Sequence, residues 1–308
     1  MTDFATTLGR WSRALLGLLA VALVATGCDA FTDEDLGDAQ PQTPTIAKYI
    51  QEVRVFSSLE GAVAEAGLTG TLESSGPFTV FAPVDDAFSP PIDPALNQQV
   101  VKKVIQHHVV DGEVTSDQLS DGQAVTPLSG DDLTIGLGSG VTVNRASVTN
   151  ADAEASNGVV HVIDGLLIDA VDRATLTPRF TIFARLVSEA GLEDALRDPG
   201  ANGGRTIFVP TNEALLAALD SDGSGSIESD EIPSNADEIL QYHVHNNVLL
   251  SEDLPSDTTV TSLEGSALTL NAGDDVSVNP GEENAGVTVP DVVVDNGVIH
   301  GIGTVLTP

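Results

Sequence analysis

Residues 220–231 read Asp-Ser-Asp-Gly-Ser-Gly-Ser-Ile-Glu-Ser-Asp-Glu. Side-chain oxygens fall at positions one, three and five of this stretch (Asp220, Asp222, Ser224), and the backbone carbonyl of Ser226 stands at seven. Glu228 is at nine, and Glu231 at twelve can bind a cation through both of its oxygens. An all-oxygen donor set at this spacing suits one hard cation, Ca2+. Gly225 at position six permits the sharp turn the loop requires, and Ile227 at eight adds an apolar anchor. General acidity would account for the carboxylates but not for these two residues at their places. Glu213 to Leu219 are good helix formers and predict an entering helix. Pro233, two residues after Glu231, breaks the usual exit helix, which is expected to restart near Ser234. A loop with a truncated exit reads as a structural clip rather than as a sensor that opens. Outside a cell, an affinity of about 10⁻⁴ to 10⁻³ M would keep it filled.

Other reactive side chains are few. The six histidines are His107, His108, His161, His243, His245 and His300, and strand histidines donating to backbone are the expectation for them. No His-Glu-x-x-His, Gly-x-Ser-x-Gly or phosphate-loop motif occurs, and no dinucleotide fingerprint. Gly136-Leu137-Gly138-Ser139-Gly140 predicts a turn between strands, and Asp131-Asp132 and Asp274-Asp275 predict solvated turns rather than a glycosidase pair. The chain therefore reads as non-enzymatic.

The 308 residues carry 46 acidic against 12 basic residues, a formal net charge of -34. With no basic stripe to displace counterions from phosphates, nucleic acid is excluded as a partner. Hydrophobic content of 41% is ordinary for a globular protein. Residues 1–27 read as an export signal: Arg10 and Arg13 precede an apolar run, Ala14 to Val24, too short for a membrane span. The run ends in Ala25-Thr26-Gly27-Cys28, which resembles the lipobox of bacterial lipoproteins. That resemblance implies acylation of Cys28 and anchoring to the bacterial cell envelope, at its periplasmic face or surface. Cys28 is the only cysteine, so the fold contains no disulfide. Residues 28–44 hold five acids and no base, and predict an extended tether.

What must position the loop is a unit written twice. Ala64-Glu65-Ala66-Gly67-Leu68 returns as Ser188-Glu189-Ala190-Gly191-Leu192, at an offset of 124. Thr79 to Pro83 returns as Thr206 to Pro210 at 127, Gln106 to Val109 as Gln241 to Val244 at 135, and Asn157 to His161 as Asn296 to His300 at 139. The order is kept while small insertions accumulate, as in a tandem duplication. The longest insertion holds the candidate loop. Each copy predicts a starting helix (Phe56, Leu59, Val63; Phe183, Leu186, Val187), then a short strand ending at Pro83 or Pro210. A helix begun by Asp85 and Asp86, or by Asn212 and Glu213, is expected next, its N–H groups facing these acceptors. Alternating β-segments follow, such as Leu133-Thr134-Ile135 and Leu268-Thr269-Leu270, and a Gly-led strand (Val159 to Ile168; Val298 to Leu306) closes each unit. The class is α+β, with units at 45–171 and 172–308.

Three ordered blocks in each copy resemble the fasciclin domain family: Gly76 through Phe88, His107 through Gly112, and Asn157 through Asp164, matched by Arg205 to Leu215, Tyr242 to Val244, and Asn296 to Ile302. The resemblance implies two tandem domains, each a β-wedge with packed helices, and the insert of the second fits an EF-hand loop by its own residue spacing. The resemblance implies an exported or anchored protein acting in adhesion, with a cell-surface or matrix protein or polysaccharide as partner. It also points to Tyr242 and His243 for partner contact. His107 stands where the family has Tyr, and His245-Asn246-Asn247 where it has a Val-Pro-Gly turn. The alternatives are an enzyme or small-ligand binder using an unrecognised cleft, and an envelope scaffold. The remaining acidity reads as a surface adapted to high salt.

Overall fold

The computed structural model describes residues 43–253, 258–272, 276–278 and 285–308. The export signal at 1–27, the acylation site Cys28, most of the 28–44 tether, the pair Asp274-Asp275 and Asn279 lie outside the described residues. In the first repeat, helices α1 (Ile46–Glu52), α2 (Ser57–Glu65) and α3 (Thr69–Glu73) precede strand β1 (Phe78–Pro83). Helix α4 (Gln98–His107) then leads into β2 (Val109–Asp111), β3 (Ala124–Val125), β4 (Leu133–Gly136), β5 (Thr142–Val143), β6 (Ala146–Ala155) and β7 (Gly158–Ile163). The second repeat has α5 (Ala170–Leu176), α6 (Thr181–Glu189), α7 (Glu193–Arg197), β8 (Arg205–Pro210), α8 (Asn212–Leu219) and α9 (Ala236–Tyr242). Its remaining strands are β9 (Val244–His245), β10 (Thr258–Thr261), β11 (Ala267–Ala272), β12 (Val276–Val278), β13 (Ala285–Val294) and β14 (Gly297–Ile302).

The two seven-stranded sheets have one topology. The orders are β2-β1-β7-β6-β5-β4-β3 and, correspondingly, β9-β8-β14-β13-β12-β11-β10. Among the described residues, only β1 with β7 and β8 with β14 run parallel. These central strands are buried almost throughout (Val80, Phe81, Ala82; Ile207, Phe208, Val209), as parallel strands covered on both faces must be. Their approach explains the repeated Asn-Gly pair. A Cβ on Gly158 would lie 1.8 Å from the Phe78 carbonyl oxygen, and one on Gly297 1.9 Å from that of Arg205. Both glycines have positive φ, 146° and 153°, so no other residue serves there.

One apolar core runs through both repeats, from Ile46, Phe56 and Leu59 to Phe180, Phe183 and Ile299. Each wedge adds a core of its own: Phe81, Leu133, Ile135 and Val143 in the first, Phe208, Leu268, Leu270 and Val278 in the second. Helix α5 occupies the place in the second repeat that α1 occupies in the first, and it continues through the 171/172 boundary read from sequence. The buried amide of Asn157 fixes α1, accepting from Ile46 N at 2.9 Å, and that of Asn296 fixes α5, accepting from Ala170 N at 2.9 Å.

Three local expectations are corrected. Asp85 and Asp86 begin a 3-10 turn, Asp85–Phe88, rather than a helix. Asp85 instead caps α2 across space, accepting from Ser58 N at 2.7 Å and Ser57 Oγ at 2.8 Å, and Asn212 accepts likewise from Ile182 N of α6 at 3.0 Å. His107, His108 and His243 lie at the ends of α4 and α9, not on strands. The closing strands stop at Ile163 and Ile302, five and four residues earlier than their apolar composition predicts.

Candidate metal centre

The expected entering helix is α8, capped by Thr211, whose hydroxyl accepts from Ala214 N. It ends at Leu219, one residue before the loop. Within the loop the Asp220 carboxylate accepts backbone N–H bonds from Gly223 (2.8 Å), Ser224 (3.1 Å) and Gly225 (2.9 Å). Such a turn needs left-handed backbone, supplied by Gly223 and Gly225 at φ 73° and 81°. Asp222 accepts from Ser224 N at 2.9 Å. Glu231 closes the ring from its far end. One carboxylate oxygen accepts from Ser221 N at 2.7 Å and Ser221 Oγ at 2.8 Å, the other from Glu228 N at 3.0 Å. The Glu228 N–H and the Ser221 donors hold the Glu231 carboxyl below the usual carboxylate range, so it is ionised at neutral pH.

Carboxylate oxygens of Asp220, Asp222 and Glu231 lie within 4.8 Å of one another. Ser224 Oγ donates to the Ser226 carbonyl at 3.0 Å, so positions five and seven face the same side. Glu228, at nine, accepts from Ser226 Oγ at 2.7 Å and stands outside the three-carboxylate cluster, as suits a position that often binds through water. The donors are hard oxygens, and they fit a calcium ion. Ile227 is 1% exposed and joins the common core, while Arg185 of α6 donates to its carbonyl at 2.9 Å. The loop is thereby fastened to the domain at its midpoint. The chain re-enters a helix at α9 after Pro233.

Tyr242 and His243 stand inside the second wedge, 5% and 1% exposed. The Tyr242 hydroxyl donates to the Ala267 carbonyl at 2.9 Å. His243 Nδ1 pairs with the Ile239 carbonyl and Nε2 accepts from Leu306 N, as His108 pairs with Val104 and Leu167 in the first domain. Burial pushes His108 down to about 3 and His243 to about 4, against backbone carbonyls that favour the proton. Both are neutral struts. His161 and His300 brace the carbonyls of Val114 and Leu249 and stack on Phe81 and Phe208. The histidines that can be matched between copies thus do matching backbone work.

A second polar cluster was not foreseen, and its signal was Lys103, one of only three lysines. Lys103 of α4 reaches Asp172 at 2.9 Å and Asp169 at 3.4 Å, and Arg197 of α7 reaches the same acids at 2.7 and 3.1 Å. Burial and the charge of Asp169 push Asp172 up. Burial also works against the Asp169 charge, but the Asp172 N–H and the Arg197 and Lys103 charges outweigh it and hold Asp169 low. The four charges clamp the junction between the repeats. They line one wall of a cavity of about 650 Å³, with His107, Asp132, Arg145 and Asp295 around it.

A fasciclin domain model matches residues 54–169 and again 178–308. The chain belongs to the fasciclin domain family. Protein sll1483 of Synechocystis is 40% identical over 132 residues, covering 40% of this chain and 73% of that protein. Human periostin is 25% identical over 275 residues, covering 86% of this chain. Pig transforming growth factor-beta-induced protein ig-h3 is 27% identical over 253 residues, covering 77% of it. This fasciclin chain spans 32% of the length of periostin and 35% of that of ig-h3. The FAS1 domain pair of the insect cell adhesion molecule Fasciclin I aligns with TM-score 0.39 and 16% identity, over 82% of this chain and 97% of that one. Among the described residues, no helix is long and apolar enough to cross a membrane.

Proposed function

We propose that this fasciclin protein is a non-enzymatic adhesion or partner-binding protein, exported and held on the bacterial envelope by a lipid at Cys28. Its partner is a cell-surface or matrix protein or polysaccharide, and one calcium ion clips its second domain. The observation that carries the reading is the family match across both repeats, in a chain whose repeats share one core and a charged clamp. Such a pair offers a partner a large, fixed surface. Burial of Tyr242 and His243 moves the contact face to other residues. The clip acts on shape: Asp220 and Glu231 draw together the two ends of an insert between α8 and α9, and calcium would neutralise their repulsion.

Attachment of cells lacking the protein tests this. Loss of attachment, restored by the full chain in calcium and not by a Cys28→Ser chain, is the expected result. Unchanged attachment with a leaking envelope would identify a scaffold instead. A small-ligand reading has one observation in its favour, the 650 Å³ junction cavity with its converging charges. It requires that a small polar solute raise the melting temperature and that Arg145→Ala remove the effect.

A further inference from the structure

The junction inside the chain is a template for a junction between chains. Helices α1 and α5 correspond at an offset of 124 and are seated alike on their domains through Asn157 and Asn296. The outer side of α5 is covered by the first domain. Besides Lys103 with Asp172, Arg173 donates to the Pro90 carbonyl at 2.7 Å, and Asp93 N donates to that of Leu176 at 2.7 Å. Six of the seven α5 residues are buried. Helix α1 buries only Ile46, Ala47 and Ile50, leaving Lys48 exposed and Tyr49 half-buried.

The second domain carries the matching receiving face. Between α8, α9 and residues 303–307 lies a cavity of about 440 Å³, walled by Leu219, Ile232, Ile239 and Val305 among others. Ile239 and Val305 correspond to Val104 and Leu166, which are 3% and 4% exposed in the first domain, where α5 packs on α4. In the second domain the two are half-buried, and among the described residues no helix is seated there.

Three of the template's four clamp charges recur with their signs reversed, and the fourth, Asp169, becomes the neutral Thr45. By the repeat offsets, Lys103 becomes Glu238, Asp172 becomes Lys48, and Arg197 becomes Glu73. Arg173, wholly buried in the internal junction, becomes Tyr49, whose ring suits an apolar cavity. A helix bearing Lys48 therefore matches a face bearing Glu238, as one bearing Asp172 matches a face bearing Lys103.

We propose that the protein self-associates head to tail. Helix α1 of one copy docks on the second domain of the next, seated as α5 is on the first domain, with Lys48 against Glu238 and Tyr49 in the cavity. The contact joins two different surfaces, so repetition gives rings or open chains rather than a closed dimer. It stands independently of the adhesion reading.

Sedimentation of the reduced full chain at about 100 μM, in about 0.15 M salt, where a contact pair lies well inside the screening length of about 8 Å, tests the proposal. Mass should grow beyond the monomer with concentration. Lys48→Glu and Glu238→Lys should each weaken association about tenfold or more, and the double variant should recover it to within about threefold. A general charge effect would move the two single variants in opposite directions, because one adds negative charge and the other removes it. Both substituted side chains are exposed, so folding is preserved. A chain that stays monomeric overturns the proposal, whether its own N-terminal segment fills the cavity or nothing does. Association that the reversals leave unchanged, or that the double variant fails to restore, overturns it as well.

Discussion

Ile227 shows how much one side chain contributes to the candidate centre. It alone among the twelve loop residues is buried, and its carbonyl receives Arg185. Ile227→Ala should cost about 3 kcal/mol of stability by urea unfolding, because a buried isoleucine leaves a cavity when truncated. A loss under about 0.5 kcal/mol would detach the loop from the core in our account. The buried histidines set a pH dependence. In the unfolded chain they titrate near pH 6.5, whereas in the fold His108 and His243 resist protons down to about 3 and about 4. Below pH 6.5 the unfolded state binds the extra protons, so stability is complete above that pH and falls as pH drops. The slope should reach about 1.4 kcal/mol per pH unit for each histidine. Unfolding midpoints between pH 7.5 and 5 (a range above most carboxylate titration) check the sign, and a flat profile would contradict it. The loop residues were legible in the sequence because cation ligation needs given atom types at given spacing. The cross-space caps by Asp85 and Asn212 were not, because a carboxylate or amide followed by helix formers looks the same whichever helix it caps.

At the scale of elements, α5 joins the repeats. Its acids hold Lys103 from one side and Arg197 from the other, with Asp172 almost wholly buried. Asp172→Ala leaves Lys103 and Arg197 to share Asp169 alone and should destabilise the chain by about 2 kcal/mol. Hydrogen exchange should place the loosening in α5 and α4; loosening spread evenly over both sheets would deny the clamp its local role. The repeat, its order and the helix-to-strand progression could be read directly, since apolar periodicity and proline stops act locally. The sheet order could not. The parallel pairing of β1 with β7 joins segments some eighty residues apart, and its only local trace is the glycine of the Asn-Gly pair. The clamp left still less trace, because a lysine in an acidic chain does not name its partners.

At the scale of the molecule, the charge of -34 acts as a field. Five of its acids sit in the loop, and the others among the described residues lie largely on the surface. Self-repulsion should make stability rise with sodium chloride up to about 1 M in the presence of a calcium chelator, since the screening length then falls to about 3 Å. A melting temperature indifferent to salt would remove the reading of a salt-adapted surface. In the proposed function calcium would add a separate and more specific effect, by clipping the second domain. Calorimetric titration of the full chain with calcium chloride in about 0.15 M salt, followed by melting with and without the ion, is the most direct measurement. We expect one ion bound per chain and a raised melting temperature, both abolished in the Asp220→Ala, Glu231→Ala double variant. Equal heats and equal melting shifts in the wild type and the double variant, or none in either, would contradict the account.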